Sequence, residues 1–440
     1  MVPSKSSTNT YGSILIYFIN IYLLISISNM NKYSYIDSNY HKKFYFQEGN
    51  AFIKNSLSAS KISNKISIAK LSDRSTLSNS EGKTIYVKYF INDYVKNKYN
   101  LVNRIRYYKY IFKKISIVEK ESCLKKKRFH QKYGNKFYDG YTINDIVNLE
   151  KQIGTPSNYG SIYITSIKGV VGRFPIASKL MKINNSNSLE KYLNEHITEN
   201  IISKKLSKHF IITYKTLLCT EFTTEVPYII NNTNYYIVLN ELAHGDLKQL
   251  IKLKTVVGDN NLINNLYIQV MLSIMTFHTL GYSHGDCHYG NFLYHKNDDD
   301  GYYYYIIYGK NYYLKSSKYN IMIFDFGFAK YNNQRNKLVQ KHIEDYMRIH
   351  LAFTSKNYYK SWGYFSDLPE KKFSDYVDFQ FKKLFKIKNL LQEYKNVSNF
   401  VEENILSYLM KSPNNMFTNV KPNAKIINQD PFIIDDTLHI

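Results

Sequence analysis

The sequence His284-Gly-Asp-Cys-His-Tyr-Gly-Asn291, followed downstream by Asp325-Phe-Gly327, decides the fold of this chain. The first stretch places Asp286 and Asn291 five residues apart on one predicted loop, and Asp325 follows a strand-like apolar run. Phosphoryl transfer from ATP requires a carboxylate that orients the attacking hydroxyl, and an amide and a second carboxylate that hold Mg²⁺ on the phosphates. These three side chains therefore predict a phosphoryl-transfer site that uses ATP and Mg²⁺.

A β-hairpin with a glycine turn is predicted upstream of this loop. The apolar run 141–149 leads into a second run, 153–163, in which Gly154 and Gly160 flank Ser157. Glycines in such a turn let backbone N–H groups approach phosphates, because no Cβ stands in the way. The middle glycine of the pattern G-x-G-x-x-G is missing, and we expect Ser157 to take its place.

A lysine and a helix with two glutamates follow the hairpin. Lys179 lies on the next predicted strand. Its competitor is Lys182, but three positions further along an alternating strand that side chain faces the opposite side, so we favour Lys179. The helix predicted over 189–207 carries Glu195 and Glu199 four residues apart, and therefore on one face.

The next predicted strand and helix lead into the loop that begins at His284. The strand predicted over 235–241 ends in Leu-Ala-His-Gly-Asp246. Residues 264–280 have apolar side chains at helical spacing and continue directly into the His284 loop. We interpret this helix as part of the hydrophobic core.

Taken in this order, residues 141 to about 350 resemble the protein-kinase fold. The implied architecture is α+β and two-lobed, with a small β-rich N-lobe, a mainly helical C-lobe and a basic N-terminal extension. The family signature is H-R-D-L-x-x-x-N followed by D-F-G, and here only the arginine and leucine differ. The chain resembles in particular serine/threonine kinases of large nucleocytoplasmic DNA viruses, which share the loop H-G-D-x-H-x-x-N. The loop also resembles that of aminoglycoside and choline phosphotransferases.

The resemblance implies roles for the loop residues. Asp286 is the expected catalytic base, and His288 stands where serine/threonine kinases carry a lysine near the γ-phosphate. Asn291 and Asp325 are the expected Mg²⁺ ligands. His284 is expected to be structural, supporting the loop and the backbone of the D-F-G sequence.

The resemblance also implies an ATP site. Lys179 is expected to hold the α- and β-phosphates, braced by Glu199, which we prefer to Glu195 because the strand after it follows at the kinase spacing. Glu241 belongs to the expected hinge, which binds adenine through backbone groups, with Asp246 near the ribose. The full predicted set is Gly154, Ser157, Gly160, Ile162, Lys179, Glu199, Glu241 and Asp246.

Departures from the family leave the phosphate acceptor open. Gly285 replaces the arginine that pairs with a phosphorylated activation loop in regulated kinases, so we expect no control by that route. No clear Ala-Pro-Glu motif follows, whereas Asp345 is a candidate for the buried aspartate that anchors the catalytic loop. We favour an atypical, viral-type serine/threonine protein kinase acting on an unidentified protein substrate. The alternatives are a small-molecule kinase and a pseudokinase scaffold.

The chain also carries an insert and a basic N-terminal region. Alternating aromatic residues around Gly309 predict an additional hairpin within 296–320. The net charge is +24, and the first 140 residues hold 25 Lys and Arg against 8 Asp and Glu. This region predicts either a solvated extension or contact with an anionic membrane or nucleic acid.

The predicted domain organisation has three parts. Residues 1–30 form a hydrophobic N-terminal segment, 31–135 a basic, partly disordered extension, and 136–435 the kinase-like domain, with its N-lobe at about 140–240 and C-lobe at about 241–435. The apolar run 14–27 is shorter than the roughly 20 residues needed to span a bilayer. A membrane-associated segment and a buried or peripheral hydrophobic helix both remain open.

The cysteines bear on the compartment. Cys123, Cys219 and Cys287 are odd in number and far apart, with neither metal-ligand spacing nor the pattern of a disulfide framework. We therefore expect a reducing compartment, which the viral resemblance would make the host cytoplasm or the virion.

Overall fold

The computed structural model describes residues 99–130, 137–157, 160–170, 176–220, 234–331, 335–354, 370–387, 394–411 and 415–435. The apolar run 14–27 and most of the predicted extension lie outside these residues. None of the helices in the ranges just given is both long enough and apolar enough to cross a lipid bilayer.

The N-terminal part is built on a seven-stranded antiparallel sheet with the order β1-β2-β3-β4-β5-β7-β6. One helix, α1 (Leu101–Lys114), precedes the sheet, and another, α2 (Asn185–Ile197), lies between β5 and β6 and continues into a π-helical turn, Thr198–Ile202. The strands are β1 (Lys125–His130), β2 (Phe137–Ile143), β3 (Val147–Ser157), β4 (Gly160–Ile167), β5 (Ile176–Lys182), β6 (Thr213–Cys219) and β7 (Tyr235–Glu241).

The C-terminal part is mainly helical and also contains several short strands. Its elements are β8 (Gly245–Asp246), α3 (Leu247–Leu250), α4 (Asn260–His278), β9 (Tyr282–Ser283), β10 (Phe292–Lys296), β11 (Tyr302–Ile307), β12 (Lys310–Lys315), β13 (Tyr319–Ile323), β14 (Lys330–Tyr331), α5 (Arg335–Thr354), α6 (Lys371–Lys386), α7 (Val397–Val401), α8 (Ser407–Met410), β15 (Phe417–Thr418) and β16 (Phe432–Ile434). Helix α4 is buried on nearly all sides, as expected for the helix at the centre of a domain.

The predicted hairpin of the insert is present as β11 and β12. Its turn has positive φ at both Tyr308 (46°) and Gly309 (79°), the backbone twist that two-residue hairpin turns favour. The hairpin is the centre of a four-stranded sheet with the order β15-β12-β11-β16, so it is joined to residues more than 100 positions further along the chain.

Helix α1 lies within the predicted N-terminal extension, yet it is packed against the sheet. The predicted extension ended at residue 135, but the side chains of Arg104, Ile105, Tyr107 and Ile111 are buried against the sheet. The side chain of Asn100 caps the helix by accepting a hydrogen bond from the N–H of Asn103 at 2.8 Å. This part of the predicted extension is therefore folded, because the apolar side chains of the basic segment are spaced to pack on one face, while the predicted domain boundaries stay a prediction.

A disulfide corrects the analysis of the cysteines. Cys123 and Cys219 are bonded, with 4.7 Å between their Cα atoms and 96 residues between them in sequence. Such a long separation gives no recognisable spacing pattern. Cys287 is a buried free thiol. A reducing compartment was expected because no disulfide was predicted, so this disulfide removes the reason for it, and the compartment stays a prediction.

Candidate active site

Lys179 is held at the middle of β5 with its side chain buried. It is paired with the partly buried Ile162 of β4. Because paired residues of neighbouring strands share a face of the sheet, Lys179 and Ile162 lie on the same face. Its Nζ lies 2.6 Å from Oε1 of Glu190 and 3.0 Å from Oδ1 of Asp325. Lys182 is exposed at the end of the strand, so Lys179 is the lysine that faces the interior.

Glu190, and not the predicted Glu199, is the partner of Lys179. Glu190 lies near the start of α2, whereas Glu199 lies nine residues later in the π-helical turn, about 13 Å further along the helix at 1.5 Å per residue. Glu195 is paired with Lys191 at 2.7 Å. Helix α2 begins four residues before the predicted start at residue 189, so Glu190 lies within the helix rather than at its first turn.

The charges of this buried cluster depend on one another. Burial by itself would lower the pKa of Lys179, but the carboxylates of Asp325 and Glu190 raise it above its ordinary value. Burial raises the pKa of Glu190 to about 7; Lys179 opposes this rise and Asp325 adds to it. The lysine therefore stays charged, and Glu190 is the carboxylate most easily protonated near neutral pH.

Asp286 and Asn291 face each other across the catalytic loop. The amide Nδ2 of Asn291 donates to Oδ2 of Asp286 at 3.1 Å and to its carbonyl oxygen at 3.0 Å. Burial would raise the pKa of Asp286, but His288, His284 and Arg348 hold it below the ordinary value. Asp286 is therefore ionised at neutral pH and can accept a hydrogen bond or a proton.

His288 is fixed beside Asp286 in a defined tautomer. The N–H of Gly290 donates to Nδ1 of His288 at 2.9 Å, so the ring proton lies on Nε2, which is 3.4 Å from Oδ2 of Asp286. A Cβ on residue 290 would come within 2.8 Å of the imidazole. Gly290 therefore gives His288 its position, a role that the sequence analysis did not assign to it.

Asp345 anchors the catalytic loop from α5, as predicted. Its carboxylate accepts hydrogen bonds from the N–H groups of His284 at 2.7 Å and Gly285 at 2.9 Å. Nε2 of His278 lies 3.0 Å from the same carboxylate. Burial would raise the pKa of Asp345, but His278 and His284 hold it well below its ordinary value, so the anchor is a carboxylate.

Gly285 is required by the backbone at this point. Its φ is +76°, and a Cβ would come within 2.7 Å of the carbonyl oxygen of Phe328. An arginine therefore does not fit here without a backbone shift. Instead, the guanidinium of Arg348 on α5 donates to the carbonyl oxygen of Gly285.

The two predicted Mg²⁺ ligands lie at the same end of the antiparallel pair β10 and β13. The N–H of Phe324 donates to the carbonyl of Asn291 at 3.1 Å, and Asp325 follows with a left-handed φ of 66°. Phe326 stacks on Phe277 of α4, with 4.9 Å between ring centroids, which fixes the turn after Asp325. Carboxylate and amide oxygens are the donors that Mg²⁺ prefers, so these residues fit that ion.

The side chains of both predicted hinge residues make structural contacts, and their contacts with a nucleotide stay predictions. The side chain of Glu241 points away from solvent and is paired with Arg104 of α1, so this carboxylate is not available to a nucleotide. Burial would raise the pKa of Glu241, but Arg104 and His295 lower it to about 2. Asp246 caps α3 by accepting from the N–H of Gln249 at 2.8 Å. Sequence reasoning missed Arg104, which no motif marks.

The glycine hairpin is formed by β3 and β4. Gly160 has a φ of +151°, and a Cβ there would come within 2.4 Å of the carbonyl of Leu180, so the close approach of β5 requires glycine. Gly154 and Ser157 lie on β3, with a register irregularity between Ile153 and Ser157. Side chains in 154–159 lie outside the described residues.

The family comparison agrees with this arrangement. The protein kinase domain family matches residues 149–359. No curated protein matches the chain. Among solved structures, the kinase PK-1 of Cydia pomonella granulovirus is similar at 15% identity and a TM-score of 0.27, covering 42% of this chain and 55% of that one. This chain thus spans about half the length of that kinase.

The β-rich N-terminal part, the helical C-terminal part and the family match together give residues 149–359 a protein-kinase-like fold. The predicted α+β class is confirmed.

Proposed function

We propose that this chain is an ATP- and Mg²⁺-dependent kinase of atypical type that phosphorylates serine and threonine hydroxyls of a protein substrate. One observation carries the proposal: Lys179 is shared between Glu190 and Asp325, while Asp286 and Asn291 face each other on the adjoining loop. This is the set of groups that phosphoryl transfer from ATP requires.

Asp286 is the group assigned to the acceptor. Its ionised carboxylate orients the acceptor hydroxyl and takes its proton while the hydroxyl oxygen bonds to the γ-phosphorus. The bond between the γ-phosphorus and the bridging oxygen breaks, and ADP leaves. The Nε2–H of His288, held 3.4 Å from Asp286, is placed to donate to a phosphate oxygen or to the carboxylate itself.

Lys179, Asn291 and Asp325 are assigned to the triphosphate. The charged Lys179 offers its ammonium group to the α- and β-phosphates and is held in place by Glu190. Asn291 uses its amide nitrogen on Asp286, which leaves its amide oxygen for a cation; with the Asp325 carboxylate it would hold Mg²⁺. When bound, Mg²⁺ neutralises the charge that develops on the phosphates.

The test is an assay of phosphate transfer by the purified full chain with Mg²⁺ and labelled ATP. The substrates are a panel of acidic and basic proteins, and phosphoamino-acid analysis identifies the acceptor residue. We expect phosphoserine or phosphothreonine, and a loss of about 100-fold or more in rate for Asp286→Asn. The control is Asp298→Asn, which changes an exposed carboxylate in the insert and leaves the rate unchanged.

Three outcomes would contradict the proposal. Transfer to an aminoglycoside or choline, but to no protein, would favour the small-molecule kinase. Binding of ATP without transfer to any acceptor would favour the pseudokinase. An Asp286→Asn variant as active as the parent protein would remove the assigned base.

A further inference from the structure

Arg104 connects α1 to the hinge strand through a buried guanidinium. Its Nε lies 3.1 Å from Oε2 of Glu241, and its Nη2 donates to Oε1 of the same carboxylate. The guanidinium also donates to the carbonyl oxygens of Lys208 at 2.9 Å and Phe210 at 2.5 Å. The planar fork of Arg104 thus makes four hydrogen bonds to acceptors on two different segments, one more than the three donors of a lysine ammonium allow.

Glu241 is fixed on its other side by Ile212. The N–H of Ile212 donates to Oε1 of Glu241, and the N–H of Glu241 donates to the carbonyl of Ile212, both at 2.9 Å. Leu242 and Ala243 follow, and the N–H of His244 then donates to the carbonyl of Tyr294 at 3.0 Å. Hydrogen bonds therefore fix the two-residue segment 242–243 at both ends. Those at its start, through Glu241, include the bonds from Arg104.

Helix α1 is itself firmly attached to the sheet. Nζ of Lys215 on β6 donates to the carbonyl of Ile115 at 3.1 Å, just after the helix ends. The N–H of Ser122 donates to the carbonyl of Leu218 at 2.8 Å, and the disulfide between Cys123 and Cys219 closes the same connection. Arg104 is therefore presented by a helix anchored to the same sheet whose last strand it holds.

We infer that Arg104 is a positioning residue for ATP, acting through Glu241 on the backbone of the hinge. It keeps the end of β7 and the segment 242–243 in the place where backbone groups meet the adenine ring. This inference rests on the proposed kinase function. Without Arg104, Glu241 would be left as a buried carboxylate near His295 and Tyr214, a state that favours rearrangement of the strand end.

The decisive variant is Arg104→Lys, which keeps the positive charge but loses the fork. We expect its KM for ATP to rise about tenfold while kcat changes less than twofold, because one or two charge-assisted hydrogen bonds at the hinge are lost and the catalytic loop is untouched. Arg104→Gln should raise KM further. The double variant Arg104→Gln/Glu241→Gln should recover part of the affinity, since no unpaired charge remains.

Arg106→Gln on the same helix is the matched control, because Arg106 donates to the side chain of Asn103, within the helix. Binding of a fluorescent ATP analogue to each variant provides a readout independent of phosphate transfer. An unchanged KM and an unchanged affinity for the analogue in Arg104→Lys would overturn the inference. A fall in kcat as large as the rise in KM would overturn it as well. If the parent protein neither bound the ATP analogue nor transferred phosphate, the proposed function would instead be refuted.

Discussion

The imidazole rings of His278 and His342 stack face to face below the catalytic loop, with 3.6 Å between their centroids and 5° between their planes. Nε2 of His278 contacts the Asp345 carboxylate that anchors the loop, and Nε2 of His342 contacts the carbonyl of Tyr282 at 3.1 Å. Burial lowers the pKa of both rings, so they are neutral at pH 7.

This stack predicts a loss of stability on mild acidification. A histidine with a lowered pKa in the folded state contributes stability that is complete above the unfolded value of about 6.5 and is lost as the pH falls below it. We expect the free energy of unfolding, measured by urea denaturation, to fall between pH 7 and pH 5.5. His342→Phe should reduce the change of the free energy of unfolding with pH. His196→Gln, at a partly exposed site, should leave most of that change in place. A pH dependence that is the same in His342→Phe as in the parent protein would contradict the neutral stack.

Glu190→Gln should lower kcat/KM by about 100-fold, because Lys179 loses the carboxylate that holds it and misplacement of a catalytic group by about 1 Å has an effect of this size. Glu199→Gln is the matched control and should change kcat/KM by less than twofold. Steady-state kinetics with ATP as the varied substrate provides the measurement. A loss in Glu199→Gln as large as that in Glu190→Gln would contradict the assignment of Glu190 as the partner of Lys179.

A side chain at position 285, where the kinase signature has arginine, should destabilise the catalytic loop. Gly285→Ala should destabilise the protein by more than Gly309→Ala, although both glycines have a φ near +80°. A Cβ at Gly309 has open space, so that variant reports the cost of the backbone conformation alone, about 1 kcal/mol. At Gly285 the contact with the Phe328 carbonyl adds to this cost. Urea denaturation of the two variants gives the difference, and equal losses would show that the loop relaxes freely.

The insert should contribute to stability through Tyr305. Its hydroxyl lies 2.9 Å from Nε2 of the buried His209, so Tyr305→Phe leaves a buried ring nitrogen without its partner, at a cost of about 1–3 kcal/mol. Tyr304→Phe is the control, since its hydroxyl contacts Asn311 at an exposed position, and we expect a loss below about 0.5 kcal/mol. A thermal or urea unfolding series distinguishes them, and a neutral Tyr305→Phe would argue against a structural role for the insert.

Local motifs were the predictable part of this protein. The loop from His284 to Asn291 and the Asp325 turn were found because their chemistry requires fixed residue types within a few positions. Lys179 could be chosen over Lys182 because strand alternation is a local property. The hairpin around Gly309 was visible for the same reason.

The remaining features depend on contacts between distant parts of the chain. The partner of Lys179 was misassigned because the start of a helix is set by its cap, here Asn184, and not only by apolar periodicity. The pair of Arg104 and Glu241 joins residues 137 positions apart, and the disulfide joins residues 96 positions apart. No spacing pattern within one sequence indicates such pairs.

The four-stranded sheet of the insert has a consequence for synthesis. Strand β11 pairs in parallel with β16, so Tyr305 lies opposite Phe432, and the sheet cannot close until residue 434 has left the ribosome. Pairings so distant in sequence form slowly, because the chain between them must be ordered first. While the polypeptide is being made, the aromatic hairpin is therefore exposed and in need of protection, and chaperone capacity rather than final stability could limit the yield of folded protein.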